Sequence, residues 1–313
     1  MIPDSICFAP QYVAGELLHA EGFTDVQYVK AGRELPKLLS AGEVDLTMNH
    51  VVGFIGLIGA GEPVEIVGGV HPGCIEVVAT DRIRTIRDIK GKTAAVPWPG
   101  SARQLFLASV LAHVGLSAKD VNWVFHPPAE AIPRLAARTI DVFLATPPDA
   151  QELRARKIGR VLLSTTTDRP WSQYFCCLLC GNREFVRKHP AAVKRALRAI
   201  LKANAICVAE PDRVARSLVD KNYTKQEGYA GQAIREVPYG RWREYDVTDT
   251  VRFYALRLHE AGFIKDNPQE ILARGWICAS STSSSRSSRA EEWPTNIGGR
   301  STAAGLFGSR RRP

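Results

Sequence analysis

TAAVPWPGSARQLFLASVLAHVGLSAKDVNWVFHPPAEAIPRLAARTIDVFL, residues 93–144, reads as strand, loop, helix, glycine stop, strand, short helix and strand. Thr93-Ala94-Ala95-Val96 is a short apolar strand that runs into Pro97-Trp98-Pro99-Gly100-Ser101, and an apolar-periodic helix follows from about Ala102 to Val114. That helix stops at Gly115-Leu116, a C-cap in which glycine alone takes the left-handed conformation cheaply. Asp120-Val121 with Val124 supply the next strand and Ile132 to Ala136 a short helix. The unit closes on the Asp-led strand Asp141-Val142-Phe143-Leu144.

The chain carries this text once before. Ile6-Cys7-Phe8, read as a strand, runs into Ala9-Pro10-Gln11, and a helix from about Tyr12 to Glu21 stops at Gly22-Phe23. Asp25-Val26 with Val29 give a second strand, Leu35 to Leu39 a short helix, and Asp45-Leu46-Thr47-Met48 the closing strand. Corresponding residues lie 93 to 96 positions apart, far above solenoid periods, which predicts two similar lobes. Any two strand-helix-strand units share such features, so chance similarity is the competing reading.

A length of 313 residues suits two domains, and 45% hydrophobic with 23% charged residues is ordinary globular composition. The net charge of +9 suggests nucleic acid until the C-terminus is set apart. Residues 279–313 hold six Arg and two Glu, so the rest carries only +5. Seven Cys scattered along a long chain are no secreted disulfide framework. Met1 to Ser5 lacks a charged and apolar leader, and no run approaches the roughly 18 apolar residues of a membrane span. As written the chain is expected to stay in the cytosol, although it begins almost inside its first strand.

Between and after the two units, Val51 to Gly61 is helix-like, and Val64 to Val67 and Ile75 to Ala79 are strands around a turn at His71-Pro72-Gly73-Cys74. The charged connector Thr80 to Lys92 marks a crossing into the second lobe. Gln151 to Ile158 is a helix and Val161 to Leu163 a strand. Tyr174 to Leu179 is apolar on both faces, as a buried strand should be. From Asn182 the chain turns helical, with Pro190 as the first residue of a helix to Ala209, and further helices over Arg213 to Asp220 and Asp249 to Glu260. This block is expected to pack back on the first lobe. Lobe one is then 1–79 plus 182–278 and lobe two 80–181, with crossovers near Ala79 and Gly181 side by side as a hinge. Residues 279–313, with nine Ser and no hydrophobic periodicity, read as a disordered tail.

Ligands of open α/β sheets bind beyond the carboxyl ends of the strands. That rule selects Gln11, Asn49, His50 and His71 as donors and acceptors, Gly73 and Gly100 for close backbone approach, and Pro148 in the Thr146-Pro147-Pro148 loop. Trp98 and Tyr174 offer faces for a ring or an apolar tail. Ser101 reads as a ligand donor and equally as a plain helix cap, and helix N-termini at Tyr12 and Ala102 favour an anion. Cys176, Cys177 and Cys180 sit in an apolar strand where thiols act as small hydrophobes. With no second Cys/His cluster in sequence to complete four ligands, no metal centre is expected. No P-loop, G-x-S-x-G, H-E-x-x-H or dinucleotide fingerprint is present, so no catalytic residues and no cofactor are expected.

The Ala9-Pro10-Gln11-Tyr12-Val13-Ala14 segment, the Gly42-Glu43-Val44-Asp45 turn, the Pro99-Gly100-Ser101 loop, and Asp168 to Tyr174 with Asn182 to Val186 resemble the substrate-binding proteins of nitrate/sulfonate/taurine-type ABC transporters. Fungal thiamine-pyrimidine synthases share that fold. The resemblance covers about Ser5 to Arg274. It implies an α/β, two-lobed type II periplasmic-binding-protein fold, each lobe a sheet flanked by helices, joined by a two-strand hinge. It further implies a monomer that closes on a small anionic or polar-headed solute and delivers it to an inner-membrane permease, in the periplasm, without nucleic acid. The enzyme alternative would need a cofactor lysine and an iron site. Two features depart from the family: no leader or complete first strand is present, and a Ser/Arg tail from about Trp276 stands where an ordered helix is usual.

Overall fold

The computed structural model describes residues 5–29 and 32–275. A 3-10 turn at Ile6–Phe8 leads into α1 (Ala9–Val13) and α2 (Gly15–Ala20), followed by α3 (Leu35–Ser40), β1 (Leu46–His50), α4 (Val51–Gly59) and β2 (Val64–Pro72). Next come β3 (Glu76–Ala79), β4 (Thr93–Val96), α5 (Ala102–His113), β5 (Asn122–Phe125), α6 (Pro128–Ala136), β6 (Val142–Ala145), α7 (Asp149–Ala155) and β7 (Arg160–Ser164). The chain then forms β8 (Phe175–Asn182) and α8 (Arg183–Lys188), α9 (Pro190–Ala209), α10 (Pro211–Asp220), α11 (Glu227–Glu236), α12 (Val247–Glu260) and α13 (Pro268–Gly275).

Two sheets result, a three-stranded one in the order β1-β8-β2 and a five-stranded one in the order β5-β4-β6-β3-β7. In the larger sheet β4 runs parallel to β5 and β6, while β3 pairs antiparallel with β6 and β7. The period of two is visible in its packing. Val77, Ala94, Val142 and Leu144 face the main core, whereas Val78, Ala95, Phe143 and Ala145 face a second cluster with α6 and α7. The smaller sheet runs antiparallel throughout, and every residue of its central strand β8 is buried, as the unbroken apolar text of residues 175–179 required.

The second of the two repeated units forms as read, with Gly115 at φ 79 ending its helix. The first does not. Ile6–Phe8 is a 3-10 turn because the Ser5 hydroxyl accepts the Cys7 amide and Pro10 opens α1 at once, its fixed φ suiting a first helical turn. Asp25 to Val29 forms no strand either. Its ladder partner would have been the first strand, and an extended segment without a partner has nowhere to place its amides and carbonyls. The small sheet therefore ends at β1, where the Gln11 side chain accepts the Met48 amide at 2.6 Å.

The sheets exchange the chain earlier than read. β3 already belongs to the larger sheet, and β8 belongs to the smaller one, so the crossings lie at 73–75 and 165–174 rather than near Ala79 and Gly181. The two crossing segments touch. The buried Thr165 hydroxyl accepts the amides of Cys74 and Ile75, each at 2.9 Å, and the Thr165 amide donates to Ile75 O. Gly73 makes the approach possible: its φ is 57, and a Cβ there would lie 2.8 Å from Thr166 Cα. Of the helical block, α9 packs on β2 and on α1 and α2, while α12 packs on both α4 and α5 and so ties the two sheets together. The α11 helix was not read from the sequence, and residues 279–313 lie outside the described ones.

One surface triad fastens the N-terminal helices to α9. Glu21 binds Arg198 and Lys202, its Oε1 lying 2.9 Å from Arg198 Nε and 2.8 Å from Lys202 Nζ. Arg198 hydrogen bonds, then those of Lys202, hold the Glu21 carboxyl at about 2 against an ordinary 4.5. A carboxylate whose pKa is depressed on folding stabilises fully above its unfolded value and loses that contribution as pH falls through its folded value. With both cations well exposed to screening, Glu21→Gln is expected to cost about 1–2 kcal/mol at pH 7. The gap to the parent, read from urea midpoints, should close between pH 4.5 and 2.

Candidate functional site

The end of β1 and the beginning of α5 face one another across a cleft of about 310 Å3. From the smaller sheet come Asn49, His50 and Gly53, where β1 passes directly into α4. From the larger sheet come Pro97, Trp98, Gly100, Ser101 and Ala102, where β4 passes into α5. Both helices point their N-termini here. On α5, Ser101 accepts the Gln104 amide at 3.3 Å, and Gln104 Oε1 in turn accepts the Gly100 amide at 2.7 Å. On α4, His50 is extended and makes no side-chain cap, because Asn49 Oδ1 accepts the His50 amide instead, at 2.7 Å. The first-turn amides of α4 thus have no capping side chain. The rest of the wall is Arg103 and the apolar residues Phe8, Leu35, Met48, Leu57, Leu105 and Phe263. Among the described residues no carboxylate and no lysine lines the cleft.

Five of the ten residues selected from sequence meet in this cleft: Asn49, His50, Trp98, Gly100 and Ser101. The other five lie elsewhere. Gln11 sits inside α1 and closes the edge of β1. Its amide is engaged there because the expected Ile6–Phe8 strand is a turn. His71 is fully buried at the end of β2 against Tyr239, and Gly73 serves the crossing. Pro148, after a cis peptide bond, precedes α7. Tyr174 stacks on Phe253 of α12, 4.1 Å between ring centres. The favoured anion end at Tyr12 likewise lies within α1, and its place in the cleft is taken by α4, a helix whose N-terminus the glycine-rich text of residues 51–61 did not advertise. Arg103, which also lines the cleft, is buried: it donates to Leu144 O at 2.9 Å, Thr146 Oγ1 at 2.8 Å and Asp149 Oδ2 at 3.1 Å.

Behind the cleft wall the structure assembles a second group. Cys7, His50, Cys74 and Cys177, all buried, bring their ligand atoms within 4.8 Å of one another. Sequence reasoning found no such set, since its members come from the N-terminal turn, β1, the 73–75 crossing and β8. Burial pushes the Cys7 thiol up, but hydrogen bonds with Cys177, Cys74, His50 and His71 outweigh this and lower it well below the ordinary thiol value. Burial works against a charged His50, yet the Cys7 hydrogen bond and the fields of Cys176 and Cys7 leave its pKa raised.

A family model, described as the NMT1-like family, matches residues 14–219, well over half of the chain. The chain belongs to the NMT1-like family. Among curated proteins this NMT1-like chain is 26% identical over 163 residues to a Brucella abortus (strain 2308) protein named as a binding protein, the match covering 50% of this chain and 51% of that one. It thus spans about half the length of the curated relatives it matches. Among solved structures it superposes on the alkanesulfonate-binding protein SsuA of Xanthomonas axonopodis pv. citri with TM-score 0.61 and 21% identity, over 74% and 81% of the two chains. The periplasmic aliphatic sulphonate binding protein SsuA of Escherichia coli gives 0.69 and 17% over 90% and 93%. The periplasmic nitrate-binding protein NrtA of Synechocystis PCC 6803 gives 0.69 and 14% over 87% and 84%. The NMT1-like chain therefore has the two-lobed α/β fold of type II periplasmic binding proteins. No helix among its described residues is long and apolar enough to cross a membrane.

Proposed function

We propose that this chain is the solute-binding component of an ABC import system, holding a small organic anion with an apolar tail between two lobes and handing it to a permease. One observation carries the reading: two helix N-termini, α4 without a side-chain cap, converge on a cleft that no carboxylate lines among the described residues. Orphan amides and the positive ends of two helix dipoles favour an anionic head. The apolar remainder of the wall suits an aliphatic or aromatic tail, which the sulfonate-binding neighbours also support. The lobes would be 5–72 with 175–275 and 76–164, closing about the paired crossings, and the periplasm would be the place of work.

A thermal-shift screen with nitrate, taurine, short alkanesulfonates and carboxylates tests this, because a ligand of the folded state alone raises the melting temperature. At least one sulfonate should shift it and be recovered unchanged. Gly53→Leu, which occupies cleft volume, should weaken that solute at least about tenfold, or 1.4 kcal/mol. Silence across the whole screen, or an affinity indifferent to both Gly53→Leu and Ser101→Ala, would place the function elsewhere.

A further inference from the structure

We propose that Cys7, His50, Cys74 and Cys177 hold a soft divalent metal ion of the zinc type in a closed tetrahedral site. The distances are those of a ligand cage. Cys7 Sγ lies 3.9 Å from His50 Nε2 and 3.9 Å from Cys177 Sγ, and Cys177 Sγ lies 3.9 Å from Cys74 Sγ. A tetrahedron built on zinc–sulfur bonds of about 2.3 Å and zinc–nitrogen bonds of about 2.0–2.1 Å has edges of roughly 3.5–3.8 Å. These three edges need only draw in by a few tenths of an ångström, and the other three, all within 4.8 Å, by about 1 Å at most. Three thiolates and one neutral imidazole are also the donor types that select zinc over harder cations.

The surroundings argue against four side chains that merely fill space. Thiols can act as small hydrophobes, but an imidazole nitrogen inside a cage of sulfur is a poor apolar filler. Ser5 Oγ lies 3.0 Å from Cys7 Sγ and donates to it, the kind of outer contact that steadies a metal-bound thiolate. Beside the set, His71 is fully buried, and its Nδ1 lies 3.1 Å from Pro72 O. All four ligands are protein side chains, so the site is closed and its effect structural. The ion would pin the N-terminal turn, the end of β1 and the 73–75 crossing to β8, fixing one strand of the hinge and the back of the cleft wall through His50. The inference stands independently of the solute reading, since metal and solute would be measured separately.

The full chain, purified anaerobically with reductant, should carry about one equivalent of zinc. After chelation, Co2+ alone should restore one equivalent with strong thiolate charge-transfer absorption and the visible bands of tetrahedral cobalt. Cys74→Ser and Cys177→Ser should each weaken Co2+ at least about 100-fold, beyond what an outer contact would cost. Cys180→Ser and Cys207→Ser, equally buried but outside the set, should leave it unchanged. Cys176 provides the counter-test, its Sγ lying 2.9 Å from that of Cys74. A Cys74–Cys176 disulfide in the anaerobic protein overturns the proposal, as does less than about 0.2 equivalent of bound Co2+ or the weak spectrum of octahedral cobalt. The spectrum of the unaltered chain decides even if a variant fails to fold.

Discussion

Trp171→Ala is expected to destabilise the protein by about 3–5 kcal/mol, the range for truncating a large buried aromatic side chain. Trp171 lies in the return crossing, is 2% exposed, and is enclosed by rings from two helices. Phe106 and His113 of α5 meet it edge-on at 5.4 and 5.6 Å, and Phe253 and Tyr254 of α12 lie at 5.2 and 5.9 Å. Because α5 flanks the larger sheet and α12 packs on α4 as well, the indole is the wedge that seats the crossing between the two halves of the molecule. The loss has two parts, the transfer of the indole and the cavity it leaves, and edge-to-face pairs add about 0.5–1.5 kcal/mol each beyond area. Trp171→Phe should recover most of it. Urea unfolding of the three proteins measures the differences, and a cost below about 1 kcal/mol for alanine would show that the crossing is not held there.

Arg103→Leu is expected to cost about 3 kcal/mol, the lower part of the range for removing one member of a buried ion pair. The Arg103 side chain is 4% exposed and that of Asp149 15%, so the carboxylate left behind is only slightly hydrated. The lower figure follows because Asp149 is the first residue of α7, where the helix dipole stabilises negative charge. The Leu144 carbonyl and Thr146 hydroxyl also lose a donor. Asp149→Asn in the same chain should restore part of the loss, since the double variant buries no unmatched charge. A double-mutant cycle in urea gives the coupling directly. Arg103 also lines the cleft, but its guanidinium is engaged by Leu144, Thr146 and Asp149, so solute affinity should fall less than stability. A binding loss larger than that of Gly53→Leu would mean that Arg103 contacts the solute.

The legibility of this chain differed between its halves for a physical reason. Residues 93–144 form a unit whose strands pair mainly with each other and whose glycine stops act locally, so pattern and structure agree. The equivalent text at residues 6–48 has the same apolar spacing, but a strand exists only where a neighbour takes its hydrogen bonds. Ser5 and Pro10 turned the first segment into helix, and Asp25 to Val29 then had no ladder to join. The alignment with Ser101 set Gln11 opposite the cleft, whereas in the fold its side-chain oxygen accepts the Met48 amide at the edge of β1. The residues that do meet in the cleft, Asn49, His50, Trp98, Gly100 and Ser101, are those at strand-to-helix junctions present in both the reading and the structure.

Local chemistry along the chain determined the α/β class, most helix limits, the buried strand at residues 175–179 and the family resemblance, because caps, glycine turns and apolar period act over a few residues. The meeting of α4 with α5, the inward turn of Arg103 and the gathering of Cys7, His50, Cys74 and Cys177 were decided only in three dimensions. Their partners lie tens to more than a hundred positions apart, and no spacing rule carries information over that distance. What brings them together is the order of strands in two sheets and the two short crossings between them.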